Sequence, residues 1–441
     1  MIMNIFTRGA GPKCAMLVAV TALCSGAGMS EARADEANFW ERDTLTGDWA
    51  GHRTTLSDQG ITLELGYTAE TYGNVTGGVD VGFAYEGRVE GALTLDLEKL
   101  LGWNGATIYA SAFSIHHRNG LAVDYTGSLA DPSNAEATLA TRLFTFYLEQ
   151  SLLEDKLSLR IGQLAADDEF ITSDTAGNLL NGTFGWPVFV SANLPNGGAA
   201  YPLATPGARV AVAPAEHVTL LAGVFAGDPA GKGCNDDPQI CNYHGTTFSL
   251  SGGTLGILEL QYHLNDEEDA TGLPATYKIG AWYQADGAFA DQRTGANHDD
   301  DFGIYAVADQ TVFASEDFSA SLFARVGVAP NDRNLVSFYA DAGVGLAGLV
   351  PGRADDVLTF GAAYMDIGEK AEQADIDAAL AVVRDYEIAF ELNYLAQLTP
   401  WWSLQPDLQY IIHPGGNVLH PVTGQDVDDA FVVGLRTNFA F

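Results

Sequence analysis

The 441-residue chain is poor in cysteine, poor in cations and without a long apolar run beyond its first 34 residues. Each shortage excludes a class of protein. Of four cysteines, Cys14 and Cys24 bound an apolar run preceded by Arg8 and Lys13 and followed by the small-x-small triplet Ala32-Arg33-Ala34. That arrangement predicts a secretory signal peptide over residues 1–34 and a mature chain from Asp35. The run is too short to span a bilayer as a helix, and Leu23 is too large for a lipoprotein processing site before Cys24. Cys234 and Cys241 remain, bracketing a polar, turn-rich stretch with His244 as the one nearby imidazole. In an exported protein this spacing predicts a disulfide, with a metal site as the weaker alternative.

Lys and Arg number 21 against 57 Asp and Glu, and processing leaves 18 against 56, a net charge of −38. Such an excess excludes nucleic acid as a partner. Hydrophobic residues at 47% and aromatics at 10% exclude disorder. The mature chain has no stretch of about 18 consecutive apolar residues, so any membrane insertion must use strands.

What is present is alternation. From Ala84 to Glu98, Tyr85, Val89, Leu93, Leu95 and Leu97 share one parity, and Glu86, Arg88, Glu90, Asp96 and Glu98 share the other, a period of two that only a strand produces. The pattern recurs to the last residue. It predicts sixteen strands, near residues 61–72, 84–98, 105–116, 139–150, 157–166, 207–213, 217–226, 254–263, 276–286, 302–313, 318–329, 335–347, 356–365, 385–397, 401–412 and 429–441. Thr246 to Leu250 is left in a loop, because a seventeenth strand breaks both the even count of bacterial outer-membrane barrels and the alternation of long external and short periplasmic connections. Gly287–Asp301, Ile367–Arg384 and Pro414–Asp428 read as long external loops. Residues 35–60 form an N-terminal segment with a short helix over Thr46–Gln59, ended by Gly60; residues 61–441 form the barrel.

Charge parity sets the solvent of each face. Arg88, Arg160, Arg209, Lys278, Arg325 and Arg436 lie on the polar parity of their strands, with Glu90 and several other carboxylates, while the opposite faces are nearly uncharged. A lipid-facing Arg or Lys costs roughly 2–4 kcal/mol at mid-bilayer, so this segregation predicts an all-β, transmembrane, antiparallel up-and-down barrel. Arg142 fits badly, since Phe144, Phe146 and Leu148 share its parity.

The last strand presents Phe431, Val433, Leu435, Phe439 and the terminal Phe441 on one face, resembling the signal read by the barrel assembly machinery of outer membranes. Leu45-Thr-Gly-Asp-Trp-Ala-Gly51, Leu95-Asp-Leu-Glu-Lys-Leu-Leu-Gly-Trp103, Gly162-Gln-Leu-Ala-Ala-Asp-Asp-Glu-Phe170, Thr183-Phe-Gly-Trp-Pro187 and Tyr201-Pro-Leu-Ala-Thr-Pro-Gly207 resemble the carbohydrate-selective porin family of the OprB type. The resemblance covers nearly all the mature chain and is strongest before residue 265. It implies a sixteen-stranded barrel passing monosaccharides through the outer membrane, with small neutral sugars and surrounding lipid as its partners.

On this reading Arg88, Glu90, Arg160, Arg209, Arg325 and Arg436 line the pore, with Trp186 holding sugar ring faces and Asp168 at the mouth. The constriction is expected to be locally basic, and residues 167–206 to fold inward and narrow it. No cofactor is expected. Asp266–Asp269 and Asp299–Asp301 suit either a solvated surface or surface calcium. Asp167-Asp168-Glu169 also resembles paired glycosidase carboxylates, so a secreted glycan-binding protein or glycosidase, and a porin for another solute, remain the alternatives.

Overall fold

The computed structural model describes residues 38–265 and 272–441; the expected signal peptide and Asp266–Asp269 lie outside them. Alternation becomes sixteen antiparallel strands closed into one barrel. They are β1 (Ile61–Gly78), β2 (Gly82–Asp96), β3 (Ala106–Arg118), β4 (Ala140–Leu152), β5 (Leu157–Leu164), β6 (Thr205–Ala215), β7 (Val218–Ala226), β8 (Thr254–Leu264), β9 (Ala275–Ala290), β10 (Asn297–Ala314), β11 (Ser319–Val328), β12 (Val336–Ala347), β13 (Val357–Ile367), β14 (Tyr386–Thr399), β15 (Trp402–Ile412) and β16 (Asp428–Ala440). Each strand pairs with its sequence neighbours, and β1 closes on β16 in a register that sets Gly66 opposite Ala440. Closure removes the unpaired edges that a bilayer could not satisfy. Outward positions carry large apolar side chains, among them Val89, Ile161, Leu258, Ile279 and Ile304, all exposed.

Several boundaries differ from expectation for local reasons. β2 stops at Asp96 rather than Glu98, because the Asp96 carboxylate accepts Glu98 N–H (3.0 Å) and Lys99 N–H (3.2 Å) and starts a one-turn helix, α2 (Leu97–Leu101). The N-terminal helix, α1, is confined to His52–Asp58, since Ala50 (φ 57°) and Gly51 (φ 89°) are left-handed and interrupt it. Gly287–Asp301 is not a long loop: β9 and β10 stay paired to Ala290 and Asn297, leaving a six-residue turn. Thr246–Leu250 is indeed not a strand.

Arg142 is resolved by a bulge. Ala110 faces Phe146 and Ala112 faces Leu143, so β4 holds one residue more than β3 across that step. Such an insertion flips every side chain beyond it. Arg142 and Phe144 point inward before the bulge and are buried, whereas after it Phe146 is exposed to the outside.

The segment before β1 and the end of β16 meet at the end of the barrel that carries the shorter turns. Leu45 N–H donates to Ala440 O (2.7 Å), Phe441 N–H to Leu65 O (2.9 Å), and the Arg53 guanidinium to Phe441 O (2.7 Å). Phe39 and Trp40 pack on Trp401, whose indole N–H donates to Phe39 O (3.1 Å). The segment before β1 thus clasps the β1–β16 seam. Replacing Arg53 with Ala should lower barrel stability by about 1–3 kcal/mol, read as a lower temperature for conversion of the folded to the unfolded gel band. Single cysteines at Ile161, Ile279 and Ile304 should react with membrane-partitioning maleimides and resist charged ones; the reverse would show the faces to be exchanged.

Candidate functional site: interior charges around an inserted loop plug

Two long loops at the far end of the barrel, L2 (residues 119–139) and L3 (165–204), lie inside it, and their composition explains why. L3 carries Phe170, Ile171, Leu179, Phe184, Trp186, Val188, Phe189, Val190 and Leu194, all buried against inward-facing Phe225, Trp282, Tyr305, Phe323 and Tyr339. Apolar surface on both partners leaves water together. Gly327 and Gly361 are the seats: a Cβ on Gly327 would lie 2.4 Å from the Phe189 ring, and one on Gly361 would lie 2.4 Å from Leu179.

Insertion brings backbone N–H and C=O groups into the barrel, where each needs a partner. Wall carboxylates provide many of them. Glu391 accepts Leu180 N–H (2.6 Å) and Asn181 N–H (2.8 Å); Glu387 accepts Leu129 N–H (2.8 Å), Ala130 N–H (2.9 Å) and Gly415 N–H (2.6 Å). Glu259 accepts Ile171 N–H (2.8 Å) and the Tyr305 hydroxyl (2.8 Å), and Asp309 accepts Thr175 N–H (2.9 Å) and its hydroxyl (2.7 Å). Within L2, burial and then the neighbouring Asp131 push the Glu136 carboxyl up to about 8.

This arrangement separates the sequence-predicted residues into two groups. Arg325 and Arg436 point inward as their parity requires, but they do not line an open pore. Arg325 is sealed beneath L3, paired with Asp341 and donating to Ile171 O (3.1 Å), Thr183 O (3.2 Å), Phe184 O (2.9 Å) and Gly185 O (3.4 Å). Arg436 pairs with Glu70 and donates to Asn134 Oδ1 of L2 (2.6 Å). Trp186 is likewise no open platform: it belongs to the L3 core and its indole N–H donates to Gly197 O (3.0 Å). Strand parity distinguishes inside from outside; it does not reveal that a loop covers the inside.

The second group faces the sector β2 to β6, away from most of these loop anchors. Arg160 pairs with Glu149 (2.9 Å) and Glu169 (3.2 Å), and Arg209 with the same two at 3.4 and 2.6 Å. Arg209 is nearly closed off, whereas the side chains of Arg160, Glu149 and Glu169 stay 21%, 23% and 26% exposed. The Arg160 guanidinium lies 4.8 Å from the Tyr147 ring, which stacks on Tyr109 at 5.1 Å. Asp168 is exposed beside them. Glu90 is 32% exposed, 3.5 Å from Arg88. Arg88 itself is buried, its guanidinium 5.1 Å from the Phe113 ring and 5.3 Å from that of Tyr201, with Nε and Nη1 making no hydrogen bond. Two arginines face two glutamates, with Asp168 beside them, so this cluster is of mixed charge rather than locally basic. Glu149 and Tyr147 alternate with outward Phe146 and Leu148, a signal obscured by Arg142, which takes the other parity before the bulge; Glu169 is visible within the acidic triplet, and Tyr201 within its motif.

Of the acidic surface run, Asp300 pairs with Arg333 (2.6 Å) and Asp301 accepts from Asn334 (2.8 Å). Among the described residues, no three His, Cys, Asp or Glu side chains are grouped to hold a metal ion. Cys234 and Cys241 are joined by a disulfide.

A closed sixteen-stranded barrel with an apolar exterior, a charged interior and a loop folded inside it defines an outer-membrane porin. The model of the carbohydrate-selective porin, OprB family, matches residues 80–441, and the chain belongs to that family. It is 26% identical to Porin B of Pseudomonas aeruginosa, covering all of both chains, and 25% identical to the putative porin QuiX of Acinetobacter baylyi, covering 91% of this chain and 95% of that one. The high-pH structure of Pseudomonas putida OprB shares its fold, with a TM-score of 0.80 at 23% identity, covering 92% of this chain and 100% of that one. The protein is a channel rather than an enzyme.

The two groups of arginine should respond differently to truncation. Arg325→Ala strands Asp341 without its counter-charge and should cost about 3–5 kcal/mol, with L3 becoming open to protease in folded, detergent-solubilised protein. Arg160→Ala, at a partly solvated pair, should change stability by less than about 1 kcal/mol. Equal losses in a thermal gel-shift assay would contradict the division.

Proposed function

We propose that this porin admits monosaccharides and related small neutral sugars by diffusion, through a constriction formed by the β2–β6 wall and the facing edge of L3. The observation that carries this reading is the mixed-charge cluster of Arg160, Arg209, Glu149 and Glu169 beside Tyr147. A neutral sugar presents hydroxyls that both donate and accept, and a ring face that rests on an aromatic. Guanidinium N–H groups supply donors and the glutamates supply acceptors, so a hydroxyl leaving water finds either partner. Glu90, partly exposed beside Arg88, extends the same pairing along β2. Because arginines sit among the carboxylates there, the net charge of −38, carried in part by acidic external loops, need not by itself set the selectivity of the passage.

Two partners complete the proposal. The outward apolar belt is covered by outer-membrane lipid, and the strand ending in Phe441 is read by the barrel assembly machinery. The second reading is a porin for other small solutes, since paired charges also suit a zwitterion.

Liposome swelling with glucose and with an amino acid of similar size separates the two. Arg160→Ala combined with Glu169→Gln should slow glucose entry severalfold relative to the amino acid; an unchanged ratio would favour the general porin. Filling the L3 seats, with Gly327→Val or Gly361→Val, should displace the loop and admit larger oligosaccharides, whereas an unchanged size limit would place L3 outside the constriction.

A further inference from the structure

The outer rim is stepped where neighbouring strands differ in reach, and one such step lies beside β4. The β4–β5 register begins at Phe146 opposite Gln163, and β5 ends at Leu164, so β4 runs beyond its neighbour over Ala140–Thr145. L3 leaves β5 there and turns inward, and it does not supply the missing partner. An exposed strand edge is a row of unmet N–H and C=O groups.

The partner comes from three strands away. L4 (residues 227–253) connects β7 to β8, yet its middle crosses the outer ends of β6 and β5 to reach β4. Leu143 N–H donates to His244 O (3.0 Å), and His244 Nδ1 lies 3.1 Å from Thr141 O, which fixes that nitrogen as the donor. Gln163 bridges the junction, its side-chain amide donating to Phe144 O (2.7 Å) and Gly245 O (2.9 Å). Gly245 has φ 65°, and a Cβ there would lie 1.9 Å from Leu143 O, so the approach needs glycine. Beside it, the ring closed by Cys234 and Cys241 presents two acceptors. Gln239 Oε1 takes Thr138 N–H (2.8 Å) and Arg142 Nη1–H (3.4 Å), and Asp237 Oδ2 takes the Thr138 hydroxyl (3.0 Å). Arg142 points into the barrel, so its bond to Gln239 sets the disulfide ring over the interior rather than outside the wall.

We infer that the segment Cys234–Gly245 is a strap across the outer mouth, a second size filter standing above the L3 constriction and held there by completing the edge of β4. The strap narrows the entrance over the β4–β6 sector, the sector to which the constriction belongs. Its disulfide preorganises Asp237 and Gln239 for the contact with Thr138 and Arg142, and neither cysteine touches the constriction.

The test is the size of neutral polyethylene glycols that enter the open channel, read from their effect on single-channel conductance in planar bilayers, a width that does not depend on which solute is native. Two forms of the full chain are compared with the parent: Cys234→Ser with Cys241→Ser, and Asp237→Ala with Gln239→Ala, which keeps the disulfide. Both should keep the heat-modifiable folded band and admit larger polymers from the external side, with the partition of a polymer just excluded by the parent rising severalfold. Should the serine pair not assemble, the alanine pair carries the same expectation. A folded variant with an unchanged or smaller size limit would overturn the strap. Failure of glucose selectivity in swelling assays would overturn the sugar reading and leave this measurement standing.

Discussion

Backbone amides taken out of water must be hydrogen-bonded, and this constraint organises the interior of the barrel. L2 and L3 can bury their apolar side chains inside only if their N–H groups find acceptors on a wall whose own backbone is already used in strand pairing. Carboxylates solve the problem because each has two oxygens with several lone pairs, so one residue meets consecutive amides, as Glu391 does for Leu180 and Asn181 and Glu387 for Leu129 and Ala130. Arg325 performs the converse task for loop carbonyls. Much of the interior charge that marks these strands is therefore there to hold loops.

The placement of those anchors is the ground for the passage we propose. They are borne by β8 to β16 and by β1, with Glu86 of β2 meeting Ala137 N–H at the margin. Most of the plug's polar anchors therefore lie on one side, while on the other Tyr201 packs on Phe113 and Phe144 and Glu169 pairs with Arg160 and Arg209, and there, from β2 to β6, charges remain partly solvated. Anchors and passage differ in how their charges are satisfied: Arg325 is saturated by Asp341 and four carbonyls, whereas Arg160 is paired on one side and open on another. A saturated guanidinium fixes structure, and a partly solvated one can exchange water for a passing hydroxyl.

The barrel itself was legible, because parity is a local property that sixteen strands repeat and because a lipid-facing charge is costly enough to be avoided throughout. The inward course of L3 was legible too, from its length and its Trp186-Pro187 and Tyr201-Pro202 turns. Three things were not. The β4 bulge leaves no mark in the alternation except the misfit of Arg142 with Phe146, because Arg142 and Phe144 lie before it and Phe146 and Leu148 after it. The paired extension of β9 and β10 is carried by polar residues such as Asp300, which read as loop. Most consequentially, parity cannot report depth of cover: Arg325 and Arg160 look alike on their strands, and only the path of a distant loop makes one an anchor.

The central claim is that solute travels between L3 and the β2–β6 wall. Crystals of the protein soaked with a sugar carrying a heavy halogen test it most directly, through the anomalous density of that atom. The account places the peak within contact of Tyr147, Arg160 and Glu169. A peak between L3 and the β11–β14 wall, near Arg325 or Glu391, would contradict it.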